Sequence, residues 1–167
     1  MMDFEERIEV ADERRKAYQT FSILLFQEPT KDLLLNLRSL PFNEGKLGDY
    51  ISELSDMDMD QARIDAVADF AALFQGMSAL PVAPYESVYT SPEHLLMQDS
   101  RDEVVKVYQD HGYKVDDPLN LPEDHISTEL EFMARLCDME KEAWVKHDEA
   151  SAQKWRSSQK AFLEEHL

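Results

Sequence analysis

An all-α helical bundle is the fold class this sequence predicts, on three observations. Only 4 glycines and 7 prolines punctuate 167 residues, too few breakers for a fold of many short strands and turns. Apolar residues recur at helical spacing through most of the chain. Residues able to cap helices stand before several of those stretches. With 43% hydrophobic and 10% aromatic residues the chain can close a core despite 31% charged residues. At this length one domain over 1–167 is the natural organisation, with N-terminal helices over 3–76, a connector over 77–99 and C-terminal helices over 100–167.

The first helix is expected over 3–27, where Phe4, Ile8, Ala11, Tyr18 and Leu25 fall close to one face. Pro29 stops it, because the residue before a proline avoids the helical region. Within it, Arg14-Arg15-Lys16 followed by Phe21-Ser22-Ile23-Leu24-Leu25-Phe26 has the outline of a twin-arginine export signal. Acids precede the pair, the apolar run is short and Gln27-Glu28-Pro29 offers no cleavage site, so the stretch reads as helix core. Thr30 caps a second helix that turns Leu33, Leu34 and Leu37 inward, and Pro41-Phe42-Asn43 breaks it. A third, over 46–54, presents Leu47, Tyr50, Ile51 and Leu54. After an acidic, methionine-bearing loop over 56–60, Asp58 or Asp60 caps a fourth helix with Ile64, Val67, Ala68, Ala71 and Phe74 inward. Gly76 ends it in the left-handed conformation.

From 77 to 92 the pattern is neither helical nor alternating. Pro81, Pro84 and Pro92 punctuate an extended connector carrying Tyr85 and Tyr89. A connector this long and aromatic is either functional or pinned across the core. Ser100 or Asp99 caps the next helix, with Val104, Val107 and Tyr108 inward and Gly112 at its end. The central helix follows a loop over 113–121 and runs to about Trp144. Asn120 is its expected N-cap, Glu123 the capping-box carboxylate and Pro122 a first-turn residue. Ile126, Leu130, Met133 and Cys137 form an apolar stripe, and His125, Glu129, Phe132 and Leu136 run beside it. Two ionisable groups thus open a row that otherwise turns inward, which marks the place to look for function. A last helix over 149–167 holds Trp155, Phe162 and Leu163.

A net charge of −18 argues against nucleic acid and against stable binding to an anionic membrane, and favours a partner carrying positive charge. No apolar run approaches the ~18 residues of a membrane span. The lone Cys137 excludes an internal disulfide or a CxxC pair and fits a reducing compartment; on an apolar stripe it reads as a buried structural thiol.

Pro122-x-Asp124-His125-x-x-x-Glu129-Leu130-x-Phe132-Met133 resembles the signature of the TorD/DmsD/NarJ family, cytoplasmic chaperones that mature molybdenum-containing redox enzymes. Tyr85-Glu86-Ser87-Val88-Tyr89, the run from Ser91 to Gln98, and Val105-x-x-Tyr108-x-x-x-Gly112 agree in the same order. The resemblance covers roughly 70–140, with a weaker match over the N-terminal helices. It implies a TorD-like bundle with a long extended connector and a cytoplasmic role in molybdoenzyme assembly for anaerobic respiration. The partners implied are a twin-arginine leader peptide and the apo catalytic subunit that carries it, held until cofactor insertion. Carried over position by position, the peptide-binding residues are Phe70, Leu73, Phe74, Tyr85, Ser87, Tyr89, Pro122, Asp124 and His125, with Glu129 beside them. On that reading Asp124 pairs with a leader arginine, and His125 donates a hydrogen bond that tunes affinity with pH. An apolar leader segment calls for a hydrophobic groove rimmed with carboxylates.

Two departures stand out. Leu121 occupies the place where family members often carry Glu before the Pro-x-Asp-His run. A His-Leu pair like His166-Leu167 is followed in the family by a Pro-Trp element and further helices, which implies truncation here or a homodimer formed by exchanging helices. The family is associated with guanine nucleotides, but no P-loop or GxGxxG is present and no cofactor is expected.

The other class is a small metal-dependent hydrolase centred on Asp124, His125 and Glu129. His125 and Glu129 share a face at i, i+4, yet catalytic zinc takes three protein ligands and no HExxH or Cys/His cluster supplies them. Neighbouring residues on a helix point about 100° apart, so Asp124 and His125 make a poor dyad. No metal site is expected, and binding without catalysis ranks first.

Overall fold

A computed structural model describes residues 3–115 and 121–167. The described residues form α1 (Phe4–Phe26), α2 (Lys31–Arg38), α3 (Gly45–Asp56), α4 (Met59–Phe74), α5 (Glu86–Thr90), α6 (Asp99–Asp110), α7 (Ile126–Val145) and α8 (Glu149–Glu165). Among them there is no strand, only an isolated bridge between Tyr85 and His125. The all-α class read from the sequence is what the chain adopts. No helix among the described residues is long and apolar enough to cross a membrane. By contact the chain divides into two compact units, Met1–Ser22 with Pro84–Leu167, and Ile23–Ala83.

In the first unit α1 begins with a capping box. Asp3 Oδ1 accepts from the Glu6 amide at 2.9 Å and Glu6 Oε2 from the Asp3 amide at 2.8 Å. α7 and α8 form a hairpin turned at Lys146-His147-Asp148, with His147 left-handed at φ 55° and the Asp148 side chain accepting from the Ser151 amide. Phe132 and Phe162 meet across it at 4.9 Å between ring centres. Val104, Tyr108, Met133 and Leu136 complete the buried cluster, and Tyr18, Tyr113 and Trp155 pack against it. Arg14, Arg15 and Lys16 lie within α1 and are paired there, Arg14 with the buried Glu140, Arg15 with Asp12 and Asp138, Lys16 with Asp12.

The start of α7 differs from expectation. Asn120, the expected cap, lies outside the described residues, and the helix starts at Ile126 with His125 as N-cap. Pro122 and Glu123 therefore precede the helix. The cause is tertiary: 122–125 closes a tight turn, the His125 amide donating to Pro122 O, while the Asp124 carbonyl and the Ile126 amide bond to Glu86 and Pro84 across the Tyr85–His125 bridge. Of the two α7 rows, His125, Glu129, Phe132 and Leu136 are all buried, whereas Ile126 and Leu130 are half-buried.

In the second unit α2 packs on α3 and α4. Thr30 caps α2 by accepting from the Leu33 amide at 3.2 Å, and Leu33, Leu34 and Leu37 are buried. Of the two candidate caps it is Asp58 that caps α4, and Gly76 follows the helix at φ 71° as the sequence predicts. α3 runs to Asp56, which shortens the expected 56–60 loop to Met57 and Asp58. Tyr50 is exposed rather than inward. α4 also presents a different face: Ala62 and Phe70 are buried while Ile64 is 55% exposed, because alanines on the 62–66–70 line admit a close neighbour. Gly48 lies against the Asn43 backbone, where a Cβ would come 2.6 Å from the Asn43 carbonyl carbon. Gly48→Ala should therefore lower stability by about 1–3 kcal/mol despite alanine's better helix propensity, read from the urea midpoint.

The connector is not extended throughout. α5 lies within it, and α6 starts at Asp99 behind Gln98, which makes no side-chain cap. Ser100, expected as a cap, instead shares a 2.9 Å hydrogen bond with Thr90 Oγ1.

Candidate functional site

The site in the first unit begins with residues 84–87 laid against 122–126. The Ile126 amide donates to Pro84 O at 2.9 Å and the Glu86 amide to Asp124 O at 3.0 Å. The Tyr85 and His125 rings meet edge-on at 5.1 Å. Asp124 is wholly buried, and its Oδ2 accepts from the Ser87 amide at 2.8 Å. A carboxylate 37 residues away in sequence thus meets the Ser87 amide in the first turn of α5. The Tyr85–Tyr89 and Pro122–Met133 motifs, separate in the sequence, are one structural unit. The His125 Nδ1 accepts from the Ser127 amide at 3.1 Å, which makes this imidazole the α7 cap. Glu123 has a different task from the one its position suggests. Its carboxylate receives Arg101 Nε and Nη2 at 2.6 and 2.7 Å, a forked pair that ties the turn to α6.

Behind this contact Glu86, Asp124 and Glu129 form a carboxyl cluster. Burial, then the negative charges of Glu86 and Asp124, push Glu129 up to about 9, so it keeps its proton at neutral pH. Burial also raises Glu86, against the pull of His166, whose Nδ1 lies 3.1 Å from Glu86 Oε2. Three buried atoms here have no hydrogen-bond partner: Ser87 Oγ, Asp124 Oδ1 and Glu129 Oε1.

Glu86 also lines a cleft of about 340 Å³, together with the carboxylates of Glu93, Asp99, Glu103 and Glu165. A second hollow of about 490 Å³ shares Glu103 and Glu165 and adds Asp110, His166 and one cation, Lys106. Tyr89 is exposed, as are Leu95, Leu96 and Met97 in the segment that follows; Pro122 is half-buried. The sequence alone did not single out Glu86 or His166. Glu86 sat inside a quoted motif, but its pairing with a residue 80 positions away leaves no local signal.

In the second unit Phe70, Leu73 and Phe74 line an apolar pocket of about 230 Å³ with Leu24, Leu34 and Leu37. Phe70 and Phe74 are in ring contact at 5.2 Å. Asp69 is its one acid, and with Asp65 and Glu53 it adds to the burial that raises the Tyr50 phenol. Each unit therefore carries its own share of the expected residues.

Among the described residues no three His, Cys, Asp or Glu side chains are grouped to hold a metal ion, which leaves the hydrolase alternative without a ligand set. Burial pushes the Cys137 thiol up to about 12, and its Sγ donates to Gln159 Oε1 at 3.3 Å, the setting of an inert core cysteine.

Similarity to known proteins follows the same lines. The chain is 33% identical over 79 residues to the chaperone protein TorD of Vibrio parahaemolyticus and 37% identical over 79 residues to that of Vibrio cholerae. Each match covers 47% of this chain, and it spans only 37% and 36% of those two proteins' length. Aliivibrio salmonicida TorD matches over 95% of this chain and 70% of its own, at 24% identity. A candidate redox enzyme maturation protein from Archaeoglobus fulgidus superposes over 90% of this chain and 93% of its own with a TM-score of 0.49 at 25% identity, too low a score to compare sites. The family model described as nitrate reductase delta subunit matches residues 41–167, and the chain belongs to that family, among the TorD-like redox-enzyme maturation chaperones.

Proposed function

We propose that this chain is a cytoplasmic binding chaperone for a redox enzyme of the molybdenum class. It takes the basic, apolar twin-arginine leader of the apoenzyme and holds it until the cofactor is in place. The observation that carries this reading is the cleft lined by Glu86, Glu93, Asp99, Glu103 and Glu165, in a chain of net charge −18. Such a surface attracts and discriminates guanidinium groups. The apolar pocket walled by Phe70, Leu73 and Phe74 supports the second half, a greasy helical segment. Its action is binding and timed release, with no bond made or broken.

Titrating a twin-arginine leader peptide, beside a version with both arginines replaced by lysine, tests this. Tighter binding of the arginine form is expected, since only a guanidinium forks onto a carboxylate. Asp124→Ala should weaken leader binding by roughly tenfold, about 1.4 kcal/mol, with little loss of helicity. Equal affinity for the two peptides, or none for either, would remove the leader from the account.

A further inference from the structure

We propose that α5 is a displaceable plug: its Ser87 amide occupies, in the free protein, a buried carboxylate site built to receive a guanidinium side chain. The first ground is the placement of Asp124. Its carboxylate is wholly buried with no cation beside it among the described residues, and its Oδ2 is held by an amide of a five-residue helix. The second is a shortage of donors. Asp124 Oδ1, Ser87 Oγ and Glu129 Oε1 are buried without partners in one neighbourhood. Asp124 Oδ1 is an acceptor left without a donor, which is costly when buried, and a guanidinium brings five donors in a fixed fork.

The third ground is that α5 has only five residues and is fastened by polar contacts, which a competing cation can replace. Its N-terminus is held by the Glu86 and Ser87 amides on Asp124, and its side chains by Glu86 Oε2 on His166 Nδ1 and Thr90 on Ser100. Prolines flank it at 84 and 92, and Tyr89 on its outer side is 61% exposed. α5 also contributes Glu86 and Thr90 to the acidic cleft. The helix that lines the cleft is therefore the one that holds Asp124. A cation drawn into the cleft competes with the Ser87 amide, and α5 moves out as it binds. This gate rests on the leader reading only for the natural source of the guanidinium.

The probes are acetyl-arginine amide and a twin-arginine leader peptide, read by isothermal titration and by hydrogen exchange of residues 84–92. Ser87→Pro removes the competing N–H; it should bind acetyl-arginine amide at least tenfold more tightly than wild type, and adding Asp124→Asn should abolish the gain. Saturating ligand should speed exchange in 84–92 while α7 stays protected. If Ser87→Pro does not fold, His166→Ala frees α5 through Glu86 and should shift affinity in the same direction. Equal affinities in the freed variants, or exchange in 84–92 that slows on binding, overturns the plug. A leader that fails on wild type while acetyl-arginine amide gains in Ser87→Pro sinks the leader reading alone. A leader that binds with 84–92 unchanged sinks the plug alone.

Discussion

Glu129→Gln should flatten the fall in stability that the wild type shows between about pH 5 and 9, leaving the contribution of Glu86, which burial raises in the same direction. The folded protein holds a proton on Glu129 up to about 9, while the unfolded chain releases it near 4.5, the ordinary value for a glutamate. Across that window the native state binds more protons than the unfolded state, so stability falls as pH rises. At 1.36 kcal/mol per pKa unit the loss is about 3–6 kcal/mol by pH 9, a large part of a typical domain's total. Glutamine supplies a permanently neutral side chain of the same shape, with a donor for Glu86. The charges that act on Glu129 are those of Glu86 on α5 and Asp124 before α7, and Glu86 in turn feels Glu103 on α6 and His166 after α8. Urea midpoints at pH 5, 7 and 9 decide it. Parallel curves for variant and wild type would mean that Glu129 is ionised in the folded protein.

Glu140→Ala should cost about 3 kcal/mol, the second large effect. Glu140 is 1% exposed and receives Arg14 Nη2 at 2.8 Å, Gln159 Nε2 at 2.8 Å and Trp144 Nε1 at 3.1 Å. Removing it strands three donors on α1, α8 and α7 at once, two of them buried, and leaves a half-buried charge unpaired. Arg14 is 30% exposed, so water recovers part of that loss. Glu140→Gln keeps an acceptor for Trp144 and should cost less than half as much. Chemical denaturation of the three proteins gives the ordering; a loss under 0.5 kcal/mol for the alanine variant would show that the hub contributes nothing net.

These two residues also show where a sequence can be read and where it cannot. Thr30, Asp58 and Gly76 do their work within three residues of themselves, so caps and helix ends near them were legible. Asn120 and Glu123 looked like a cap by the same rules. The rule failed at this turn because the Asp124 carbonyl and the Ile126 amide are taken by Glu86 and Pro84, an interaction local spacing does not encode. On α4, two apolar lines both satisfy helical periodicity, and only the neighbour it packs on chose Ala62 and Phe70 over Ile64.

Arg14-Arg15-Lys16 makes the same point in reverse. The apolar run after the pair gave it the outline of an export signal, and its flanking residues and helical spacing placed it in a helix. Its acidic partners Glu140 and Asp138 lie more than a hundred residues on, and only folding brings them to it. The family motif likewise identified Asp124 as important, while the fold decided that it is buried under α5 and not facing solvent.

The amino-acid order by itself determined the helical class, most helix ends, the acidic character and the two motifs, because each depends on local backbone preference or on composition. Tertiary structure alone decided which carboxyls share a buried space, which of them keeps a proton and which amide covers Asp124. Desolvation and Coulomb energies depend on distance through space, and these partners lie 37 to 80 residues apart in the chain.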